Sequence, residues 1–128
     1  MVVAQLSRMG PIKDFRDLDV WQRSMDLAEL VLNAVPLLPP EERFGISAQL
    51  RNASVSISNN IAEGYGRGTR AEYVRFLRYS RGSANEVTTL LLLIERVHYL
   101  PPARLNPMMD MVERVRSMLS RLIDALER

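Results

Sequence analysis

The 128-residue sequence contains no cysteine, one histidine, one lysine and no long apolar run. Without cysteine the chain cannot form disulfides or thiolate metal sites. With His98 as the single histidine, it offers little histidine general-base or triad chemistry. The longest apolar run, residues 90–94, is too short to span a bilayer, and residues 1–13 lack the long apolar segment of a signal peptide. We therefore expect a cytoplasmic protein that binds no metal and no cofactor.

Positive charge is concentrated in the middle of the chain, although the net charge is only +2. Residues 43–81 hold seven arginines against two glutamates, a local charge of +5, whereas residues 1–42 are net negative. Arginine suits bidentate contacts with phosphate or carboxylate. The cluster is either an ordinary solvated surface or a phosphate-binding patch, and no fold-level DNA or RNA motif accompanies it. The candidate contact residues are Arg51, Arg67, Arg70, Arg75, Arg78 and Arg81.

The chain is organised around residues 47–70, which are typical of a helix followed by a glycine-rich turn. The helix is predicted over residues 46–63, with Gly64 as its C-terminal stop. Small polar side chains recur every three or four residues and share one helical face. We interpret this stripe as a hydrogen-bonded packing surface that specifies register between helices or subunits. Its members are Gln49, Asn52, Ser56, Asn60 and Glu63.

The glycine-rich turn, residues 64–68, resembles a phosphate-binding loop only superficially. The dinucleotide-binding motif must follow a strand, and this turn follows a helix. We interpret it as a helix stop and a chain reversal. Arg67 and Arg70 beside it could still bind an anion, helped by the N-terminus of the next helix.

Apolar residues at helical spacing predict helices before and after this segment. The first helix is expected to be capped by Asp17 or Asp19. The third covers residues 70–99 and begins with a capping box formed by Thr69 and Glu72. The expected main face of the first helix is Trp21, Met25, Ala28, Leu32 and Val35, flanked by Val20, Leu27, Val31 and Ala34.

Glycine is unfavourable inside a helix, so Gly82 in the third helix suggests that another backbone approaches closely. A fourth helix is expected to start with Asn106 as its cap and Pro107 at its first position. Four helices joined by short connections predict an all-α, antiparallel up-down-up-down four-helix bundle. We assign residues 1–13 to a flexible leader and residues 14–128 to the bundle.

The acidic residues do not form a convincing catalytic or metal site. Glu95 and His98 have the spacing found in di-iron bundles, but such a site needs two glutamate–histidine pairs. Glu63 and Glu86 are better explained as partners of nearby arginines than as an acid–base pair. We therefore expect no enzymatic activity.

Three segments of the sequence are distinctive: FRDLDVWQRSMDL at residues 15–27, QLRNASVSISNNIAEGYGR at 49–67 and EYVRFLRYSRGSANE at 72–86. Together they resemble a known family, the four-helix bundle proteins encoded by intervening sequences in bacterial large-subunit (23S) ribosomal RNA genes. The resemblance implies a homopentamer of bundles around a central axis and attaches no enzymatic activity. The chain is also similar to the accessory protein of diversity-generating retroelements, which implies nucleic acid and a reverse transcriptase as partners.

The leading hypothesis is a non-enzymatic homo-oligomer whose six candidate arginines contact RNA or DNA phosphates without reading bases. The alternative is a protein-interaction scaffold or accessory subunit with no affinity for nucleic acid.

Overall fold

The computed structural model describes residues 12–128, which form four helices joined by short turns. The described chain contains no strand, and within it no helix has the length and apolar character needed to cross a membrane. Residues 1–11 of the predicted leader lie outside the described residues, whereas Ile12 packs against the core. The helices are α1 (Asp19–Ala34), α2 (Ile46–Tyr65), α3 (Arg70–Arg96) and α4 (Pro102–Glu127).

All four helices surround one hydrophobic core. Each helix packs against its neighbours in sequence, and α1 also packs against α4. Every helix contributes fully buried side chains, represented by Leu27, Leu50, Leu91 and Leu119. Burying such side chains supplies most of the stability of a helical domain. The arrangement is consistent with the predicted four-helix bundle.

Polar contacts join α2 to α3 inside this core. The buried Ser80 hydroxyl donates to the carbonyl oxygen of Ile57 at 2.8 Å, and Ser83 Oγ donates to Ser56 Oγ at 3.0 Å. Within α2, Asn60 Nδ2 donates to the carbonyl oxygen of Ser56 at 2.8 Å. Ser56, at the middle of the predicted polar stripe, therefore lies at the α2–α3 contact. The remaining members of the stripe are exposed: Gln49, Asn52 and Glu63.

The α2–α3 contact is close at Gly64. This glycine is buried within α2, and a Cβ atom there would lie 2.6 Å from Phe76 Cβ and 3.2 Å from the carbonyl oxygen of Tyr73. The prediction that Gly64 ends the helix is wrong, because α2 continues to Tyr65 and Gly66 takes the cap position. Gly64 is needed for helix packing.

Gly82 does not mark a close approach, contrary to the prediction. It is exposed on α3, and a Cβ atom there would meet no other described atom within 4 Å. Glycine at this position therefore adds no packing contact to the fold.

The buried face of α1 differs from the predicted one. Met25 and Leu32 of the expected main face are 43% and 46% exposed, whereas the flanking Leu27 and Val31 are fully buried. The helical period identifies apolar stripes but does not decide which of two adjacent stripes meets the core.

The start of α1 also departs from the prediction. Asp14 caps a 3₁₀ turn at Phe15–Asp17, and its carboxylate accepts a hydrogen bond from the Arg16 amide at 3.2 Å. The Arg16 side chain, hydrogen-bonded to Asp14, lowers the pKa of that carboxyl below its ordinary value. Leu18 then precedes α1 without a side-chain cap.

Helix α3 ends at Arg96, three residues before the predicted end. His98 adopts the left-handed conformation, with φ of +58°. The Tyr99 amide donates to the carbonyl oxygen of Ile94 at 3.1 Å, and the His98 amide donates to that of Glu95 at 3.2 Å. These two bonds form a Schellman motif, which usually places glycine where His98 stands.

Helix α4 begins at Pro102, five residues earlier than predicted. Pro102 occupies the first helical position, and the Leu105 amide donates to the carbonyl oxygen of Pro101 at 3.1 Å. The expected start at Asn106 and Pro107 is wrong, because an earlier proline also fits a helix start. Pro107 lies inside the helix, on its exposed side.

Candidate nucleic-acid interface

The turn between α2 and α3 presents two of the predicted arginines to solvent. Gly68 has φ of +90°, a conformation that side-chain-bearing residues rarely adopt, and it lets the chain reverse between Arg67 and Arg70. The Thr69 hydroxyl accepts a hydrogen bond from the Glu72 amide at 3.2 Å, which caps α3 as predicted. Arg67 and Arg70 are both exposed.

A cluster of two arginines and two aromatic rings adjoins this turn, and we call it the aromatic–arginine cluster. It comprises Arg67, Arg75, Phe76 and Tyr79. The guanidinium carbons of Arg67 and Arg75 lie 4.7 Å and 5.2 Å from the centroid of Phe76. Phe76 and Tyr79 pack edge to face, with centroids 5.3 Å apart. Cation–π contacts hold the Arg67 side chain beside α3.

The predicted capping box is only half formed, because the Glu72 carboxylate binds Arg75. Arg75 Nε lies 2.9 Å from Glu72 Oε2, one turn away on α3. Both side chains are substantially exposed, so the pair contributes little to stability. It fixes the position of the Arg75 guanidinium near the two rings.

Arg78 and Arg81 point toward α4 instead of the turn. Arg78 forms an ion pair with Glu127, and Arg81 Nη1 lies 3.3 Å from Ser120 Oγ. Arg81 also lines an open groove of about 300 Å³ between α3 and α4. On the opposite wall of this α3–α4 groove, Arg116 Nε donates to Asn85 Oδ1 at 2.9 Å.

Arg116 was not among the predicted contact residues. It lies in residues 82–128, which have no net charge, so the charge count does not indicate a basic surface there. Arg116 also pairs with Glu113 at 2.8 Å, one turn earlier on α4. Its position beside Arg81 depends on how α3 and α4 pack, which a local charge count does not capture.

Arg51 stands apart from the other five arginines. It lies on α2, five residues before Ser56, and is therefore rotated about 140° from the side that meets Ser83 of α3. Fourteen residues also separate it from Tyr65 at the helix end, a distance of about 21 Å along the axis. The structure thus brings together Arg67, Arg70 and Arg75, places Arg78 and Arg81 beside them toward α4, and leaves Arg51 on another face.

The electrostatic character of these arginines differs. Among residues 12–128, carboxylates within ion-pair distance are found for Arg75 and Arg78 but not for Arg67, Arg70 or Arg81. The turn therefore carries positive charge that no carboxylate of the described chain neutralises. Unneutralised guanidinium groups at an exposed turn are suited to contacting phosphate oxygens.

Acidic and histidine side chains do not gather into a further site. Over residues 12–128, no three of them lie close enough together to share a metal ion. Glu95 and His98 are both exposed at the end of α3, where the His98 backbone forms the helix end.

Comparisons with known proteins agree with this fold. A model of the 23S rRNA-intervening sequence protein family matches residues 16–121. A crystal structure of a protein of unknown function from the S23 ribosomal protein family of Bacteroides thetaiotaomicron VPI-5482 is 25% identical, with a TM-score of 0.76. The match covers 81% of this chain and 97% of that protein. A search of curated proteins finds no match. Since the family model spans most of its length, the chain belongs to the 23S rRNA-intervening sequence protein family.

Proposed function

We propose that the protein is a non-enzymatic, homo-oligomeric, antiparallel four-helix bundle whose basic surface contacts the phosphates of RNA or DNA without reading bases. The observation that carries this proposal is the exposed α2–α3 turn, where Arg67 and Arg70 have no carboxylate partner in the described chain. Phosphate binding needs only positive charge that a polyanion can reach.

The antiparallel topology is supported by the order of contacts between helices. Ser80 pairs with Ile57 and the later Ser83 with the earlier Ser56, so residue numbers fall on α2 as they rise on α3. Contacts of Arg78 with Glu127 and of Arg81 with Ser120 follow the same rule between α3 and α4.

Assembly is supported by apolar side chains that the described chain leaves uncovered. Leu92 and Leu93 near the end of α3 are 44% and 47% exposed. The resemblance noted in the sequence implies five subunits, so native mass spectrometry should detect a pentamer. A monomer at micromolar concentration would contradict the assembly proposal but would not affect the nucleic-acid proposal.

The nucleic-acid proposal is tested by measuring affinity for an RNA oligonucleotide and for a DNA duplex at several salt concentrations. Neutralised phosphates release counterions, so the logarithm of the affinity should fall linearly with the logarithm of salt concentration. The double variant Arg67→Gln, Arg70→Gln should bind more weakly. Each lost contact should reduce the salt slope by about 1.

A matched control removes the same charge elsewhere. Arg104 and Arg114 are exposed on α4, outside the candidate surface, so Arg104→Gln with Arg114→Gln should leave the slope nearly unchanged. Equal losses in both double variants would show that only net charge matters and would overturn the assignment of the surface. Negligible binding by the wild type would favour the interaction scaffold, whose candidate partners include a reverse transcriptase, and a pull-down would then identify the partner.

A further inference from the structure

Tyr79 is an aromatic side chain that the core does not use. It lies on the outer face of α3 and is 49% exposed. Its ring packs against Phe76 with an interplanar angle of 70°, and the Arg75 guanidinium carbon lies 5.7 Å from its centroid. A single exposed aromatic residue is unremarkable. Tyr79 is more specific, because it packs on Phe76, whose ring carries both Arg75 and the turn residue Arg67.

The arginines of this cluster are held by the rings. Arg67 comes from the turn and Arg75 from α3, yet both guanidinium groups lie against Phe76. Their mutual repulsion is offset by the cation–π contacts and, for Arg75, by the ion pair with Glu72. Planar guanidinium groups and aromatic rings are the two kinds of surface on which proteins stack unpaired bases.

Contact with phosphates alone does not require aromatic rings. In a duplex the faces of the bases are covered by their neighbours, so an exposed tyrosine on the protein surface has nothing to stack on. In a single strand the bases can turn outward while the backbone follows the positive charge. Arg67 and Arg70 would hold phosphates, and Tyr79, nine residues after Arg70 and about 14 Å farther along α3, would receive a base.

We propose that the aromatic–arginine cluster is a stacking platform that makes this surface prefer single-stranded nucleic acid to duplex. This inference rests on the proposed function, because it specifies which nucleic acid the same arginines take. The platform is independent of sequence, since every base has a face that can stack.

The test compares a mixed-sequence RNA strand of about 20 nucleotides with its own duplex, at one salt concentration, by fluorescence anisotropy. The wild type should bind the single strand more tightly. Stacking of one base on an aromatic side chain corresponds to a change of about 5-fold to 150-fold in affinity. The affinity of Tyr79→Leu should therefore fall by at least about fivefold for the single strand and by less than about twofold for the duplex. Tyr79→Phe should keep the preference.

Phe44 provides a matched control. It is an exposed aromatic residue with Arg43 against its ring at 5.1 Å. It lies just before α2, at the opposite end of that helix from the α2–α3 turn. Phe44→Leu should leave both affinities unchanged, and a loss equal to that of Tyr79→Leu would overturn the assignment.

Two further outcomes separate this inference from the proposed function. In the first, the wild type binds strand and duplex with equal affinity, the Arg67→Gln, Arg70→Gln variant binds both more weakly, and Tyr79→Leu changes neither affinity. This outcome would overturn the platform and leave phosphate binding intact. No affinity of the wild type for either nucleic acid would overturn both.

Discussion

Replacement of Gly64 by alanine tests the packing of α2 against α3. The added methyl group would lie 2.6 Å from Phe76 Cβ, whereas carbon atoms in contact prefer about 3.5–4.0 Å. It would also lie 3.2 Å from the carbonyl oxygen of Tyr73. Neither neighbour is the mobile tip of a long side chain. The helices must therefore separate by roughly 1 Å near this point, given the usual contact distance.

The expected cost follows from two opposing effects. Overpacking a well-packed core costs about 1–3 kcal/mol, and the backbone-proximal neighbours of Gly64 favour the upper end. Alanine is intrinsically better than glycine in a helix by about 1 kcal/mol. We therefore expect Gly64→Ala to lower the free energy of unfolding by about 2 kcal/mol.

Gly82→Ala is the matched control, because the same methyl group is added to α3 with no described atom within 4 Å. It should raise the free energy of unfolding by about 1 kcal/mol. Both variants are compared with the wild type by urea titration at one protein concentration, where a change in midpoint at constant slope reports stability. If Gly64→Ala were as stable as the wild type, the close contact at Gly64 would be wrong.

Four further substitutions, at three positions, test single features of the fold in the same titration. The buried Tyr73 hydroxyl has no hydrogen-bond partner among the described residues, and burial raises its pKa, so Tyr73→Phe should raise the free energy of unfolding by about 1 kcal/mol. A lower free energy of unfolding would show that the Tyr73 hydroxyl forms a hydrogen bond. Pro107→Ala should raise the free energy of unfolding by about 2 kcal/mol, since the exposed proline inside α4 has no N–H to donate to the preceding turn; a neutral result would place Pro107 outside the helix. His98→Gly should stabilise and His98→Val destabilise, each by about 1 kcal/mol, because His98 is left-handed; equal stability of the two would refute that conformation.

Some features that depend on neighbouring residues can be predicted from the sequence. The Thr69 cap is an example, since the hydroxyl and the Glu72 amide that it accepts from are three residues apart. The helical identity of all four segments also followed from local spacing, although the end of α3 and the start of α4 lie three and five residues from the expected positions. At helix ends, competing prolines and a left-handed histidine decided the boundary.

Features that depend on distant contacts were not accessible to the same reasoning. The sequence predicts Gly64 as a helix stop because glycine is common at helix ends. Its packing role depends on Phe76, which lies on the next helix. The ion pair of Arg78 with Glu127 joins residues 49 positions apart, and it turns Arg78 toward α4. A local charge count therefore grouped six arginines that the packing divides between the turn, the α3–α4 groove and a separate face of α2.

The proposed assembly and the proposed nucleic-acid binding would be separable by mutation, because they use different parts of α3. The turn that carries Arg67 lies near the start of α3, whereas the exposed Leu93 lies near its end. Fourteen residues, or about 21 Å along the helix axis, separate Leu93 from Tyr79. A subunit contact that covered the leucines would thus leave the aromatic–arginine cluster accessible. Repetition of that cluster around an oligomer would place several weak phosphate contacts on one polyanion, and their combined affinity would exceed that of one subunit.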